Sequence, residues 1–104
     1  MTLSENELKA FDEQGYLFFP EVFSPEEVGV LREEAHNIFA LDREEVVREK
    51  DSVTARTAFA APNYNEAYRR LGRHPKLISH VMQLLGGGVY MHQFKINAKA
   101  AFNG

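Results

Sequence analysis

Gln93, Lys95 and Asn97 sit two residues apart within Val89–Ala98 (VYMHQFKINA). On an extended backbone that spacing puts an amide, an ammonium and a second amide on one face. Such a row could line the mouth of a barrel and hold a small acidic molecule through charge-assisted hydrogen bonds. A polar strand face can equally be a solvated one, and the period leaves both readings open. Other chemistries are poorly served. His36, His74, His80 and His92 form no H-x-H, H-x-D or H-x-x-x-H pair, and no carboxylate follows Glu66. A two-histidine, one-carboxylate iron triad therefore cannot be assembled from these spacings, and His92 reads as a core histidine. Ser4 and Ser24 read as helix caps, whereas Ser52 and Ser79 lack the acid–base neighbours that nucleophilic catalysis needs. Gly86, Gly87 and Gly88 lack the Lys-Ser/Thr ending and the strand-to-helix order of a phosphate loop, and read as a helix stop.

The elements that must position these residues are signalled explicitly. Ser4 with Glu7 forms a capping box, with Leu3 and Leu8 as its hydrophobic staple, and Gly15 suits the helix end. The pattern recurs at Ser24, Pro25 and Glu27, with Phe23 and Val28 as the staple. Val28, Leu31, Ala35, Ile38 and Phe39 then recur at helical spacing, leaving Glu26, Arg32, Glu33 and His36 to point outward. Between these helices Tyr16–Phe19, bounded by Gly15 and Pro20, reads as a strand. Residues 42–53 are dense in charge and read as a helix end or an exposed loop. A strand is predicted over Thr54–Ala61. Asn63 with Glu66 offers a third capping box, for a helix carrying Tyr64, Tyr68 and Leu71 that Gly72 ends. Pro75 opens a fourth helix, with Leu77, Ile78, Val81, Met82 and Leu85 inward. In the final strand, Tyr90, His92, Phe94 and Ile96 form the face built for burial.

The chain has 104 residues, enough for one domain with its own core. It has no Cys, which removes disulfides and thiolate metal sites and suits a cytoplasmic protein. No apolar run reaches membrane-spanning length, and the opening residues, with no basic region ahead of an apolar stretch, are not expected to form a signal peptide. The charge is divided. Residues 1–53 hold 14 acids and five Lys/Arg; residues 54–104 hold Glu66 and seven Lys/Arg. Arg56, Arg69, Arg70, Arg73 and Lys76 lack the aromatic ladder or motif of a nucleic-acid binder. Arg69, Arg70 and Arg73 fit the exposed side and last turn of a helix, where positive charge suits the dipole.

The stretch from Gly88 to Gly104 (GVYMHQFKINAKAAFNG) resembles a segment of the phytanoyl-CoA dioxygenase family, nearest its bacterial branch of ectoine and proline hydroxylases. Phe11–Pro20 (FDEQGYLFFP) followed by Phe23–Val28 (FSPEEV) resembles that family's N-terminus, so the likeness runs in order along essentially the whole chain. It implies an α+β fold: the N-terminal helices and first strands of a double-stranded β-helix (jelly-roll, cupin-like), incomplete, with residues 1–104 a single domain portion. It also implies that Gln93 and Asn97 lie where 2-oxoglutarate and substrate meet, with Lys95 a weaker candidate on the same face. Phe59, in the Arg56–Phe59 (RTAF) stretch, would contact substrate, although a plain core aromatic is the competing reading. The family's W-H-x-D iron motif, distal His and 2-oxoglutarate-binding Arg have no counterpart in this sequence.

The function so implied is Fe(II)/2-oxoglutarate-dependent hydroxylation of a small polar substrate, such as an amino or imino acid or ectoine. Iron and 2-oxoglutarate belong to the full-length enzyme; this chain alone is expected to bind neither and to be inactive. Neither nucleic acid nor membrane is an expected partner, and an unpaired final strand predicts self-association or pairing with another chain. The alternative from a different class is a stand-alone helical module that binds an acidic partner through its basic C-terminal half.

Overall fold

A computed structural model of the chain describes residues 2–99; Met1 and Ala100–Gly104, the tail of the family-like stretch, lie outside the described residues. Two capping boxes start the first two helices. In α1 (Glu5–Gln14), Ser4 Oγ accepts from the Glu7 N–H at 3.1 Å while the Glu7 carboxylate accepts from the Ser4 N–H at 2.9 Å. In α2 (Pro25–Phe39), Ser24 and Glu27 make the same exchange at 3.1 and 2.8 Å, with Pro25 in the first helical position. Gly15 ends α1 at φ 83°, where its N–H reaches Phe11 O at 2.8 Å. A side chain there would be strained.

Tyr16–Phe19 is not a strand. The residues alternate between exposed (Tyr16, Phe18) and half-buried (Leu17, Phe19), as a two-residue period requires, but no strand among the described residues pairs with them. Instead Phe19 stacks on His80 with ring centroids 4.9 Å apart. The charged stretch after α2 hides a strand: β1 (Val46–Arg48) pairs antiparallel with β2 (Ala55–Phe59). Val46 and Val47 supply the β-branched residues. The Asp51 carboxylate closes the hairpin by accepting from the Val53 and Thr54 N–H groups at 2.9 and 2.8 Å.

Ala60 at φ 56° then turns the chain into a 3₁₀ turn, Ala61–Asn63. The third helix, α3 (Glu66–Gly72), is capped by Asn65 rather than Asn63: Asn65 Oδ1 accepts from the Tyr68 N–H at 3.1 Å. Two asparagines stand close together, and the 3₁₀ turn consumes the first. In α4 (Pro75–Leu85) the N-cap is the His74 imidazole, whose Nδ1 accepts from the Lys76 N–H at 3.1 Å. Gly86 ends this helix at φ 77°. The expected inward face of α4 is largely uncovered, because no layer among the described residues packs over it: Leu77, Val81, Met82 and Leu85 are all exposed. Val28 of α2 is likewise exposed. No described helix is long and apolar enough to cross a membrane.

The expected ten-residue final strand is short. β3 (Lys95–Asn97) pairs antiparallel with β2, giving a three-stranded sheet in the order β1-β2-β3. The ladder extends by one bond at each end, from Ala60 N–H to Phe94 O at 2.9 Å and from Ala98 N–H to Arg56 O at 2.8 Å. Before Phe94 the chain leaves the sheet. The face expected to be buried accordingly divides: Phe94 and Ile96 pack on the core, whereas Tyr90 and His92 are exposed. His92 is therefore not a core histidine. The core lies between the other sheet face and the helices and gathers Ile38, Val46, Ala58, Ala61 and Tyr68, with Tyr68 donating its hydroxyl to Leu31 O at 2.8 Å. The molecule is thus α+β, with helices on one face of a small antiparallel sheet.

Candidate functional site

Antiparallel register decides which side chains meet. Thr57 lies opposite Asn97, Phe59 opposite Lys95 and Val47 opposite Thr57, so these five residues share the sheet face turned away from the helices. Ala58, Ile96 and Val46 occupy the helix-facing side. The alternation read from Lys95 and Asn97 thus places both on the outer face. Gln93, though ahead of β3, comes to the same neighbourhood.

Two shallow cavities open on this face. The first, about 430 Å³, is lined by Phe59, Asn63, Met91, His92, Gln93 and Lys95, among others. The second, about 470 Å³, is lined by Glu49, Arg56, Thr57, Asn97, Lys99 and, again, Phe59 and Lys95. Phe59 and Lys95 form the ridge between them. Phe59 is 46% exposed, so it is a cavity wall and not a core aromatic. Gln93, Lys95 and Asn97 are themselves exposed, and the cavities have no lid among the described residues.

Thr57 and its cross-strand partner make one side-chain contact across the ladder. The Thr57 hydroxyl donates to Asn97 Oδ1 at 3.0 Å, and Thr57 is only 8% exposed. With Oδ1 accepting from Thr57, the Asn97 NH₂ is the end turned away from that contact. Around it stand Arg56, Lys95 and Lys99, none of which forms an ion pair among the described residues, with Glu49 the one carboxylate lining that cavity. This donor set suits a ligand bearing carboxylates, as 2-oxoglutarate does.

A metal fares differently. Among the described residues no three His, Asp or Glu side chains converge. His74 and His80 are engaged with Phe23 and Phe19, and His92 stands alone at the first cavity. The described residues do not fit an iron centre, and no step through iron is assigned to them.

The sequence names Gln93, Lys95, Asn97 and Phe59, and the structure brings all four to one or both of these cavities; it does not single out Thr57, Arg56 or His92, which line them as well. Thr57 carried a usable signal, its place two residues before Phe59 on a strand. What the sequence withheld was the partner strand's register.

The model of the phytanoyl-CoA dioxygenase (PhyH) family matches residues 11–104. The ectoine dioxygenase of Nocardia farcinica is 35% identical over 94% of this chain and 34% of its own length. The L-proline trans-4-hydroxylase of Streptomyces griseoviridis is 37% identical over 90% of this chain and 35% of its own. Two crystal structures of EctD from S. alaskensis, one with bound Fe and one with 2-oxoglutarate and 5-hydroxyectoine, superpose with TM-scores of 0.83 and 0.81 at 32% identity. Each superposition covers 91% of this chain and 35% of the other. The chain spans about a third of the length of the curated relatives it matches. From a family model covering nearly every residue, and a fold shared with iron- and 2-oxoglutarate-bound relatives, it follows that the chain belongs to the phytanoyl-CoA dioxygenase family.

Proposed function

We propose that residues 1–104 are the N-terminal portion of one Fe(II)/2-oxoglutarate-dependent hydroxylase domain of jelly-roll (double-stranded β-helix) architecture. Its substrate would be small and polar, such as an amino or imino acid or ectoine. The observation that carries the reading is the cross-strand face Thr57–Asn97 and Phe59–Lys95, donor-rich and turned away from the helical core. In the whole enzyme this face would become the inner wall of the barrel. Asn97 and Lys95 would donate to the carboxylates of 2-oxoglutarate, Gln93 would stand where cosubstrate and substrate meet, and the Phe59 ring would bound the substrate side and exclude water. When bound, iron and 2-oxoglutarate supply the oxidation: dioxygen, 2-oxoglutarate and a C–H group become succinate, carbon dioxide and an alcohol.

The reading as an interaction module for an acidic partner has less support. Of the seven Lys/Arg in residues 54–104, Arg69, Arg70 and Lys76 are held in ion pairs with Glu66 and Glu27, while Arg56, Lys95 and Lys99 line the cavity beside Asn97 instead of forming a helical docking face.

Two assays test the proposal. The purified chain, given Fe(II), 2-oxoglutarate and either ectoine or L-proline, should form no succinate; iron-dependent succinate would overturn the expected inactivity. Residues 11–104 grafted in place of the matching third of the proline hydroxylase should restore turnover. In that graft Asn97→Ala and Gln93→Ala should raise the KM for 2-oxoglutarate or substrate about tenfold or more, the worth of one hydrogen bond to a charged group. Unchanged KM in a folded, active graft would remove these residues from the pocket.

A further inference from the structure

We infer that Tyr64 is a positioning residue for the Phe59 ring. Its hydroxyl clamps the Phe59 carbonyl and so fixes the wall between the two cavities, which sets the size of substrate the site admits. The inference rests on the reading that Phe59 bounds the substrate side, and it deepens that reading.

Phe59 depends on such a clamp because the ladder satisfies only half of its backbone. In an antiparallel sheet, alternate residues of a central strand bond to opposite neighbours. Arg56, Ala58 and Ala60 bond towards β3, which leaves Phe59 to bond towards β1. Its N–H does so, donating to Glu45 O at 2.9 Å. No backbone N–H among the described residues returns the bond to the Phe59 carbonyl. The Tyr64 hydroxyl takes that place, donating to Phe59 O at 2.7 Å. A backbone carbonyl can only accept, so the direction of this bond is settled by its chemistry. Burial pushes the Tyr64 hydroxyl pKa above its ordinary 10, which keeps the proton on the donor.

The residues around the bond close a circuit. Ala60, at φ 56° and ψ 30°, occupies the left-handed region that a side chain disfavours. It and the 3₁₀ turn after it bring the chain back, so that Tyr64 reaches the carbonyl five residues before it. The Arg43 guanidinium lies over the Tyr64 ring, 4.2 Å from its centroid. The same guanidinium donates through Nε and Nη2 to the Glu45 carboxylate, at 3.2 Å each. Glu45 is also the residue whose carbonyl takes the Phe59 N–H. Both backbone groups of Phe59 are thus tied to one local cluster, and the direction of a strand side chain follows its backbone. The ring lies opposite Lys95 across the ladder and lines both cavities. Freeing the carbonyl loosens that ring, and a looser wall discriminates less sharply between ligands that differ by a methylene. Tyr64 lines neither cavity and exerts this selection through Phe59.

The first test needs only the 104-residue chain. NMR should show NOEs from the Tyr64 ring to the Phe59 and Ala60 backbone protons. Their absence in the unmodified protein overturns the inference, and that measurement needs no variant to fold. Tyr64→Phe keeps the ring, and with it the Arg43 stack, and removes only the donor. With the rest of the backbone spectrum preserved, it should speed amide hydrogen exchange at Phe59 and Ala60 about fivefold, the worth of one neutral hydrogen bond. It should also weaken the side-chain NOEs between Phe59 and Lys95. Unchanged exchange and NOEs overturn the clamp.

The second test uses the proline hydroxylase graft. There Tyr64→Phe should raise the KM for L-proline about fivefold while the KM for 2-oxoglutarate holds. It should also narrow the preference for L-proline over its six-membered-ring homologue. A fall in kcat with both KM values and the preference unchanged would mark a purely structural role and overturn the assignment. Asn97→Ala and Gln93→Ala judge the proposed function separately. If those two are neutral while Tyr64→Phe still loosens Phe59, the proposed pocket fails and the clamp on Phe59 stands.

Discussion

Glu27 is asked to do several things with one carboxylate. Its Oε1 accepts from the Ser24 N–H at 2.8 Å and from Lys76 Nζ at 2.9 Å, while its Oε2 lies 3.4 Å from His74 Nε2. The Ser24 backbone bond first, and the Lys76 ammonium second, hold its pKa down to about 2 from an ordinary 4.5. A carboxyl whose pKa falls on folding stabilises the folded state fully above its unfolded value and loses that contribution as pH drops towards the folded value. Stability against urea should therefore decline between pH 4.5 and about 2. Glu27→Gln should be less stable at neutral pH and show a shallower decline across that window. Parallel pH profiles for the two proteins would show that the carboxylate is not the source. Legibility at this scale was uneven. The Ser24–Glu27 box is written in four consecutive residues and could be read directly. The Lys76 partner lies 49 residues away, as Asn97 lies 40 from Thr57, and no local pattern announces either.

The helices were more legible than the strands, because a helix satisfies its own backbone within a few residues whereas a strand needs a distant partner. α1, α2 and α4 could be located from caps, prolines and glycines. Tyr16–Phe19 had the right residues and the right alternation for a strand but lacks an adjacent ladder. β1 was hidden, since Val46 and Val47 are two apolar residues in a charged stretch and only β2 makes them a strand. The third helix shows how small such errors are and how they can be measured. Asn65, not Asn63, caps α3, so Asn65→Ala should cost about 1 kcal/mol, within the usual 0.5–2 kcal/mol for a lost N-cap. Asn63→Ala should cost no more than a few tenths of that, as expected for an exposed turn residue. Thermal melts of the two variants provide the comparison, and equal losses would contradict the capping geometry.

The molecule as a whole is more open than a self-sufficient domain of its length. Its radius of gyration is 16.3 Å, against about 13 Å for a compact chain of this size. Its accessible surface is 8003 Å², against roughly 6,000 Å² for a compact monomer. The excess is partly apolar, with Leu85, Tyr90 and Met91 all exposed, and partly the bare outer face of the sheet. β3 is moreover an edge strand among the described residues: Lys95 and Asn97 sit between the residues that bond to β2, so their backbone groups point outward. An edge of this kind recruits another strand, and the isolated chain should self-associate as concentration rises. Light scattering behind a sizing column measures this; a strict monomer up to millimolar concentration would rule it out. One long-range bond also constrains how the chain comes together. The Leu3 N–H donates to Gln83 Oε1 at 2.7 Å and Gln83 Nε2 donates to Leu3 O at 3.4 Å, so the two ends of an 80-residue span are buckled by a single amide pair. Closing a ring that long costs roughly 4 kcal/mol of chain entropy beyond a fixed constant, more than one such pair returns. The buckle therefore fastens only once the hairpin and the later helices have shortened the span, and the buried Leu3 side chain adds apolar contact to hold it.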